Sequence, residues 1–413
     1  MNRRIVVTGM GMVSPLANNV ADTWKKICNS QSGIDLIKNF DTTNYSVKIA
    51  GEVKNFDASN YLHVKDVRHN DAFIHYAIVA AQEAIKDSGL EINDKNSHRI
   101  GCGIGSGIGG LHTIEKANEI IANKGPHKLS PFFIPAIIIN LAAGKIAIEH
   151  NLKGPNIAVA TACASGAHTI SLAAKMIKYG DADMMVCGGT EMAICPLGVG
   201  GFSAMKALSK NNNNPQAACR PWDSARNGFV LGAGSGVLIL EEYEVARKRK
   251  AKIYAELIGS GMSNDAYHIT SPAPEGVGGQ RAMEIALNDA KIHTTDIDYI
   301  NAHATSTVLG DQCEAEAILN LFGNHVEKLA ISSTKSMTGH LLGASAAIEA
   351  IFSILAIRDN IAPPTINFSQ SEKNYPLNFV ANQAQERKID ISLSNSFGFG
   401  GTNASLIFSR LEN

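Results

Sequence analysis

Ile157-Ala158-Val159-Ala160-Thr161-Ala162-Cys163-Ala164-Ser165-Gly166, running on as Ala167-His168-Thr169-Ile170-Ser171-Leu172-Ala173-Ala174, is the stretch on which the fold turns. Its first part is short, apolar and partly β-branched, which predicts a buried strand. Its last part is small and apolar with good helix formers, which predicts a helix over Ala164–Lys178. Cys163 therefore falls at a sharp strand-to-helix turn, where orphan amides and the positive end of the helix dipole favour a thiolate. The small neighbours Ala162, Ala164 and Gly166 let a carbonyl approach the sulfur and the backbone N–H, as a covalent acyl-transfer nucleophile requires. A buried structural cysteine is the competing reading of the same residues.

The alternation continues in both directions. Strands over Arg4–Thr8, Arg99–Gly105, Asn156–Thr161, Met184–Gly188 and Gly234–Glu241, with a helix over Asp71–Ser88 that closes at Gly89, complete a first half, residues 1–250. Strands over Lys252–Gly259, Tyr299–His303, Leu329–Ser333, Ile389–Ser394 and Ala404–Ser409, with helices over Gly279–Ala290 and Leu342–Arg358, repeat the order in a second half, residues 251–413. The first strand of each half is expected to end in its glycines. Strands alternating with amphipathic helices predict an α/β fold with central sheets covered on both faces. A pseudo-twofold pairing of the halves would bring the loop at Cys163 and the loop after Ser333 to one place, beyond the carboxyl ends of the strands where ligands bind. The polar run Lys210–Asn214 reads as an exposed loop, not a boundary.

With 413 residues, 45% hydrophobic and 18% charged, the chain is globular with a large core. A net charge of -1 supplies no basic field for nucleic acid or a membrane surface. Seven cysteines are scattered, with no CxxC pair and no Cys/His spacing that fits zinc, so a reducing, cytoplasmic setting is expected. Arg3-Arg4 leads straight into Ile5-Val6-Val7, without the longer apolar run of a secretory leader or a membrane span.

Two histidines follow strands in the second half. One stands in Asn301-Ala302-His303-Ala304-Thr305-Ser306-Thr307, the other in Ser333-Thr334-Lys335-Ser336-Met337-Thr338-Gly339-His340. A lone histidine is ordinarily a surface or satisfied core residue; two on strand-end loops, joined by Cys163, point to chemistry.

These segments resemble the β-ketoacyl-acyl-carrier-protein synthases of the thiolase superfamily, in particular the elongating branch of bacterial type II fatty-acid synthesis. The resemblance also runs through Val7–Gly11, Pro155, Gly198–Gly201, Arg220-Pro221-Trp222-Asp223, Asp265-Ala266-Tyr267-His268 and Asn395–Asn403. It implies a layered αβαβα core of two pseudo-twofold-related halves. It implies Cys163 as the nucleophile that carries the acyl chain, and His303 and His340 as neutral donors to the enolate left when malonyl loses carbon dioxide. The backbone N–H groups of Cys163 and Phe399 would form the oxyanion hole, with Phe399 also a gate. Lys335, paired with Glu349, would support the histidines.

The resemblance further implies that Thr305 and Thr307 meet the pantetheine arm, that Thr270 and Ser271 bind substrate, and that Ile108, Phe133 and Phe202 wall the acyl pocket, with Phe133 supplied by a partner subunit. It implies an acyl-carrier-protein partner, docked on Lys65, Arg68, Lys128, Lys206 and Lys210, a homodimer, and no metal, nicotinamide or flavin cofactor.

Three positions depart from the family pattern: Ala304 where glycine is usual, Val308-Leu309 where a proline begins the pair, and Ala233 where an acidic residue is common. Rival readings are weaker. Gly105-Ser106-Gly107-Ile108-Gly109-Gly110 fits the GxGxxG pattern of a dinucleotide-binding dehydrogenase, but not after the first strand and with no acidic strand end following it. A degradative thiolase needs a second cysteine within Asn395–Asn403, which has none. A non-catalytic chain-length partner lacks the nucleophile, and a polyketide-type ketosynthase would share this whole constellation.

Overall fold

Ten strands make one hydrogen-bonded sheet in the computed structural model, which describes residues 3–411. The first half contributes β1 (Ile5–Val13), β2 (Ile100–Gly105), β3 (Asn156–Ile157), β4 (Met184–Glu191) and β5 (Gly234–Glu242). The second contributes β6 (Ala255–Asn264), β7 (Tyr299–Asn301), β8 (Ala330–Ser332), β9 (Ile391–Gly398) and β10 (Thr402–Ser409). The order across the sheet is β8-β7-β9-β10-β6-β1-β5-β4-β2-β3. Counted within its own half, each side reads third, second, fourth, fifth, first, so the halves meet first strand to first strand. The antiparallel seam is short, Val6 opposite Glu256 and Val7 opposite Ala255. The separate central sheets expected from sequence are thus joined, because each first strand would otherwise leave its edge unpaired in the middle of the molecule.

Five helices complete the layers: α1 (Ala72–Ser88), α2 (Ser165–Tyr179), α3 (Val277–Ala290), α4 (Val308–Phe322) and α5 (Ser345–Asp359). Helices α2 and α5 pack on each other and on strands of both halves, while α1 covers β1, β4 and β5 from outside and α3 covers β6 and β10. The result is the layered αβαβα core. Helix α5 is apolar on every side, and such a helix must be buried all round; every residue from Ser345 to Ile357 is. Helix α1 starts where Asp71 accepts the Phe73 N–H and stops where Gly89 turns left-handed at φ 60°, the ordinary pair of helix signals.

Two expectations need correction. The glycines of the first strands do not end them: β1 runs on to Val13 and β6 to Asn264. A Cβ on Gly11 would lie 1.9 Å from Ala80 O, and one on Gly261 2.0 Å from Ala282 O. The glycines are there because each strand touches the backbone of its covering helix, with Ala80-Ala84-Ser88 opposite Gly9 and Gly11, and Ala282-Ala286-Ala290 opposite Gly259 and Gly261. The second correction concerns Asn156–Thr161. Only Asn156–Ile157 pair, at the edge of the sheet, and exposure alternates from there to Ala160. A strand with one neighbour is not buried on both sides.

Gly11→Ala and Gly261→Ala each drive a methyl group into backbone that cannot rotate away. Each should destabilise at or above the upper end of the about 1–3 kcal/mol typical of overpacking, measured by urea unfolding. Gly201→Ala, where an added Cβ meets nothing within 4 Å, should be neutral or slightly stabilising, because alanine is the better helix former.

Candidate active site

The repeat places the same turn at the N-terminus of both central helices. Ala162-Cys163-Ala164 forms one short 3₁₀ turn before α2, and Leu342-Gly343-Ala344 forms the other before α5. Ala162 and Leu342 hold left-handed φ values of 49° and 47°, a conformation a non-glycine residue adopts only when its surroundings enforce it. A serine enforces it in each. Ser165 Oγ accepts the Thr161 N–H at 2.9 Å and donates to Ala162 O at 2.7 Å. Ser345 Oγ accepts the Leu341 N–H at 2.8 Å and lies 3.0 Å from His340 Nδ1.

That second serine sets the tautomer of His340. When the Ser345 hydroxyl donates to Nδ1, the imidazole carries its own hydrogen on Nε2, the tautomer in which His340 is a donor toward the cavity. Nε2 points at Cys163 Sγ, 2.9 Å away. His303 lies edge-on to His340, with ring centres 5.3 Å apart. The His303 and Ala304 N–H groups donate to the Glu314 carboxylate at 2.9 and 2.7 Å, which fixes the loop from α4. The His303 ring Nδ1 is buried and unpartnered.

Behind the histidines lies a fully buried ion pair, Lys335 Nζ to Glu349 Oε1 at 2.5 Å. Burial pushes Glu349 up to about 7 against the pull of Lys335. Burial, reinforced by the Lys335 charge, holds His303 and His340 well below the usual imidazole value, so both are neutral donors near pH 7. Cys163 departs from the expected thiolate. Burial pushes its thiol up to about 12, although Lys335 and the backbone N–H groups of Phe399 and Cys163 pull it down. Desolvation outweighs the helix end.

Phe399 sits at the tip of the β9–β10 hairpin, where Gly398 pairs with Thr402. A Cβ on Gly398 would lie 2.8 Å from Thr161 O and 3.2 Å from Cys163 N, so the hairpin rests on the turn that carries Cys163. The Gly400 N–H donates to Ile269 O at 2.8 Å, the Asp265 N–H to Gly401 O at 2.9 Å and Asn403 Nδ2 to Asp265 Oδ1 at 2.6 Å. The tip is thereby tied to the 265–270 segment.

A mainly apolar cavity of about 530 Å³ opens over this centre, lined by Cys163, His303, His340 and Phe399, and by Thr305, Thr307, Thr270, Ser271, Ile108 and Phe202. Lys206 lies at its wall and is exposed. Phe133 is outside the lining and begins a short helix, Phe133–Ile137. Lys65, Arg68, Lys128 and Lys210 are exposed. Of the departures, Ala304 and Ala233 are buried, and Val308 opens α4 with half its surface exposed, its carbonyl held by Arg226 at 2.7 Å.

The dinucleotide reading fails on the loop that prompted it. The Gly107 N–H donates to Glu191 Oε2 at 2.7 Å, with the Ile108 and Gly109 N–H groups at 3.3 and 3.4 Å from Oε1. An internal carboxylate occupies the place a phosphate would need. Ser345 and Glu314, which orient the two histidines, were not singled out from sequence. The repeated register of Ser165 and Ser345 is the signal that could have found the first.

Comparison with known proteins agrees with this geometry. Residues 2–246 match the β-ketoacyl synthase N-terminal domain and residues 254–369 its C-terminal domain. The chain is 53% identical over 409 residues to a 3-oxoacyl-[acyl-carrier-protein] synthase 2 of Coxiella burnetii, with 99% of each chain covered. It is 50% identical to that of Staphylococcus aureus, covering 100% and 99%. A β-ketoacyl synthase structure from Burkholderia phymatum superposes with a TM-score of 0.92 at 32% identity, covering 99% and 100%. A type II polyketide ketosynthase solved in complex with its acyl-carrier protein gives a TM-score of 0.92, also at 32% identity, with 100% of both chains covered. With two family models spanning residues 2–246 and 254–369 and relatives at 50% identity or more along nearly its whole length, the chain belongs to the β-ketoacyl synthase family.

Proposed function

We propose that this chain catalyses the decarboxylative condensation of malonyl-acyl-carrier protein with an acyl chain held on Cys163, lengthening fatty acids by two carbons. The observation that carries the reading is the meeting of His340 Nε2 with Cys163 Sγ at 2.9 Å, under two backbone N–H groups. In the first half-reaction Sγ attacks the carrier thioester, the S–acyl bond forms, and the carrier thiol leaves with the proton the cysteine gave up. In the second, malonyl loses carbon dioxide and its electrons pass to the thioester oxygen. The N–H groups of His303 and His340 stabilise that enolate, and their neutrality spares them a competing role as acids. The enolate carbon then attacks the acyl carbonyl. The Cys163 and Phe399 N–H groups hold the oxyanion, and collapse frees the sulfur and the β-ketoacyl chain.

Lys335 and Glu349 act from behind the histidines, and Phe399 is the gate of the acyl pocket that Ile108 and Phe202 wall. Thr305, Thr307, Thr270 and Ser271 line the approach of the pantetheine arm. The carrier protein docks on Lys65, Arg68, Lys128, Lys206 and Lys210, a partner supported by the names of the relatives and by the ketosynthase solved with its carrier protein. A homodimer is supported by the exposed edge strand β3 and by the exposed Ile134, Ile138 and Ile148; it would bring Phe133 to the partner's pocket. The halves divide near residue 250. Among the described residues no helix is long and apolar enough to cross a membrane, and the seven cysteines are free, which fits a reducing cytoplasm.

Incubation with acyl-carrier proteins should add one acyl mass to the protein and none to Cys163→Ala, and malonyl-carrier protein should then release the longer β-ketoacyl product. Absence of acylation by any carrier-bound chain would sink the reading. Because both histidines titrate below the ordinary imidazole value, they stay neutral as pH falls. Malonyl decarboxylation by Cys163→Ala should therefore be flat from about pH 8 to about pH 6 and drop only in stronger acid. The raised thiol has the opposite reach. Its alkylation by iodoacetamide should rise about tenfold per pH unit up to about pH 9, with no plateau.

A further inference from the structure

Glu191 ends β4 with its side chain fully buried, and no step above uses it. Its carboxylate gathers five donors. Oε2 accepts the Gly107 N–H at 2.7 Å and the Gly343 N–H at 3.1 Å. Oε1 accepts Ser106 Oγ–H at 3.0 Å and the longer contacts from Ile108 and Gly109. One side of this nest is the loop that carries Ile108 into the cavity wall. The other is the turn that follows His340. A Cβ at Gly107 would lie 2.8 Å from Glu191 Oε2, and one at Gly343 would meet the Gly107 backbone N at 2.4 Å before the carboxylate at 3.0 Å, so the loop and the turn approach each other closely around Glu191.

The internal repeat gives this arrangement a meaning. Strands β4 and β9 are the fourth strands of their halves, each of eight residues, and they end at Glu191 and Gly398. The turns Ala162–Ala164 and Leu342–Ala344 each precede a fifteen-residue helix that begins with serine, so Cys163 corresponds to Gly343. In the first pairing Gly398 packs on Cys163 N, and the Phe399 N–H faces the sulfur. In the second, the Glu191 carboxylate sits on the Gly343 N–H. The place where negative charge develops during reaction therefore has a counterpart that is filled by an internal carboxyl group.

We propose that Glu191 is a positioning residue for condensation, a carboxyl acceptor shared by five donors that fixes the spacing between the Ile108 wall of the acyl pocket and the turn that follows His340. The proposal rests on the reading of the Cys163 site as a condensing centre. Five donors aimed at one point repel one another once the carboxyl is removed, so the loop and the turn should separate.

The test compares Glu191→Gln, Glu191→Asp and Glu191→Ala with the wild-type protein, using short and long acyl-carrier proteins. Glu191→Gln should lower kcat about tenfold or more, and further for long chains that press on Ile108, while KM for malonyl-carrier protein stays within about threefold. Glu191→Asp should recover most of the loss. Glu191→Ala should regain activity several-fold in formate but not in equimolar chloride. Wild-type kcat and chain-length profile in Glu191→Gln, or indifference of folded Glu191→Ala to formate, would overturn the proposal. Should both variants fail to fold, Ser106→Ala removes one donor only and must by itself depress kcat more for long chains than for short; an unchanged profile would overturn it equally. Iodoacetamide labelling of Cys163 separates the two failures. Wild-type protein that is labelled but never condenses would overturn the condensing reading, whereas Glu191→Gln that condenses like wild type overturns this one.

Discussion

The Lys335–Glu349 ion pair is the constraint on which the site depends. Two charges without solvent contact are costly to bury, and they persist only where each has the other. The pair lies where the central helix α5 meets the turn leading to His340, so one lysine acts on several groups at once. It adds to burial in keeping both imidazoles neutral and opposes burial at the cysteine. A hydrophobic replacement of both partners would preserve the packing and lose that field.

The site is assembled from the ends of two repeated units, and the division of labour between them is uneven. One turn keeps a sulfur at its centre and the other a glycine. One fourth strand ends in a carboxylate and the other in the glycine that allows the hairpin to lie on the nucleophile. Symmetry supplies two similar turns, and the residues that meet in the cavity are those that break it: Cys163 on one side, His303 and His340 on the other.

Much of this was legible from residues alone. The order of strands and helices, the strand-to-helix turn at Cys163 and the two strand-end histidines follow from periodicity and from the family resemblance. The continuation of β1 and β6 through their glycines was not, because Gly9 and Gly11 read locally as a loop and their reason lies in Ala80 and Ala84, far along the chain. A sequence displays the helix end that favours a thiolate at Cys163 but not the burial that pushes its thiol the other way. Ser345 and Glu314 act through hydrogen bonds to the loops that carry the two histidines, which residue type alone does not announce, and the Gly105–Gly110 loop carries a phosphate-binding pattern whose place is filled by an internal carboxylate.

The backbone-to-backbone contacts of β1 with α1 and of β6 with α3 bear on how the enzyme can move. Where side chains separate two layers, a change of rotamer can absorb a small displacement. Here glycine faces helix carbonyl oxygen directly, so the outer layers have no such slack and each half shifts as a block or not at all. The cavity walls lie outside those contacts, among them the hairpin tip at Phe399, the 265–270 segment tied to it and the loop of Ile108. The scaffold is rigid because its closest contacts contain no side chain that could yield.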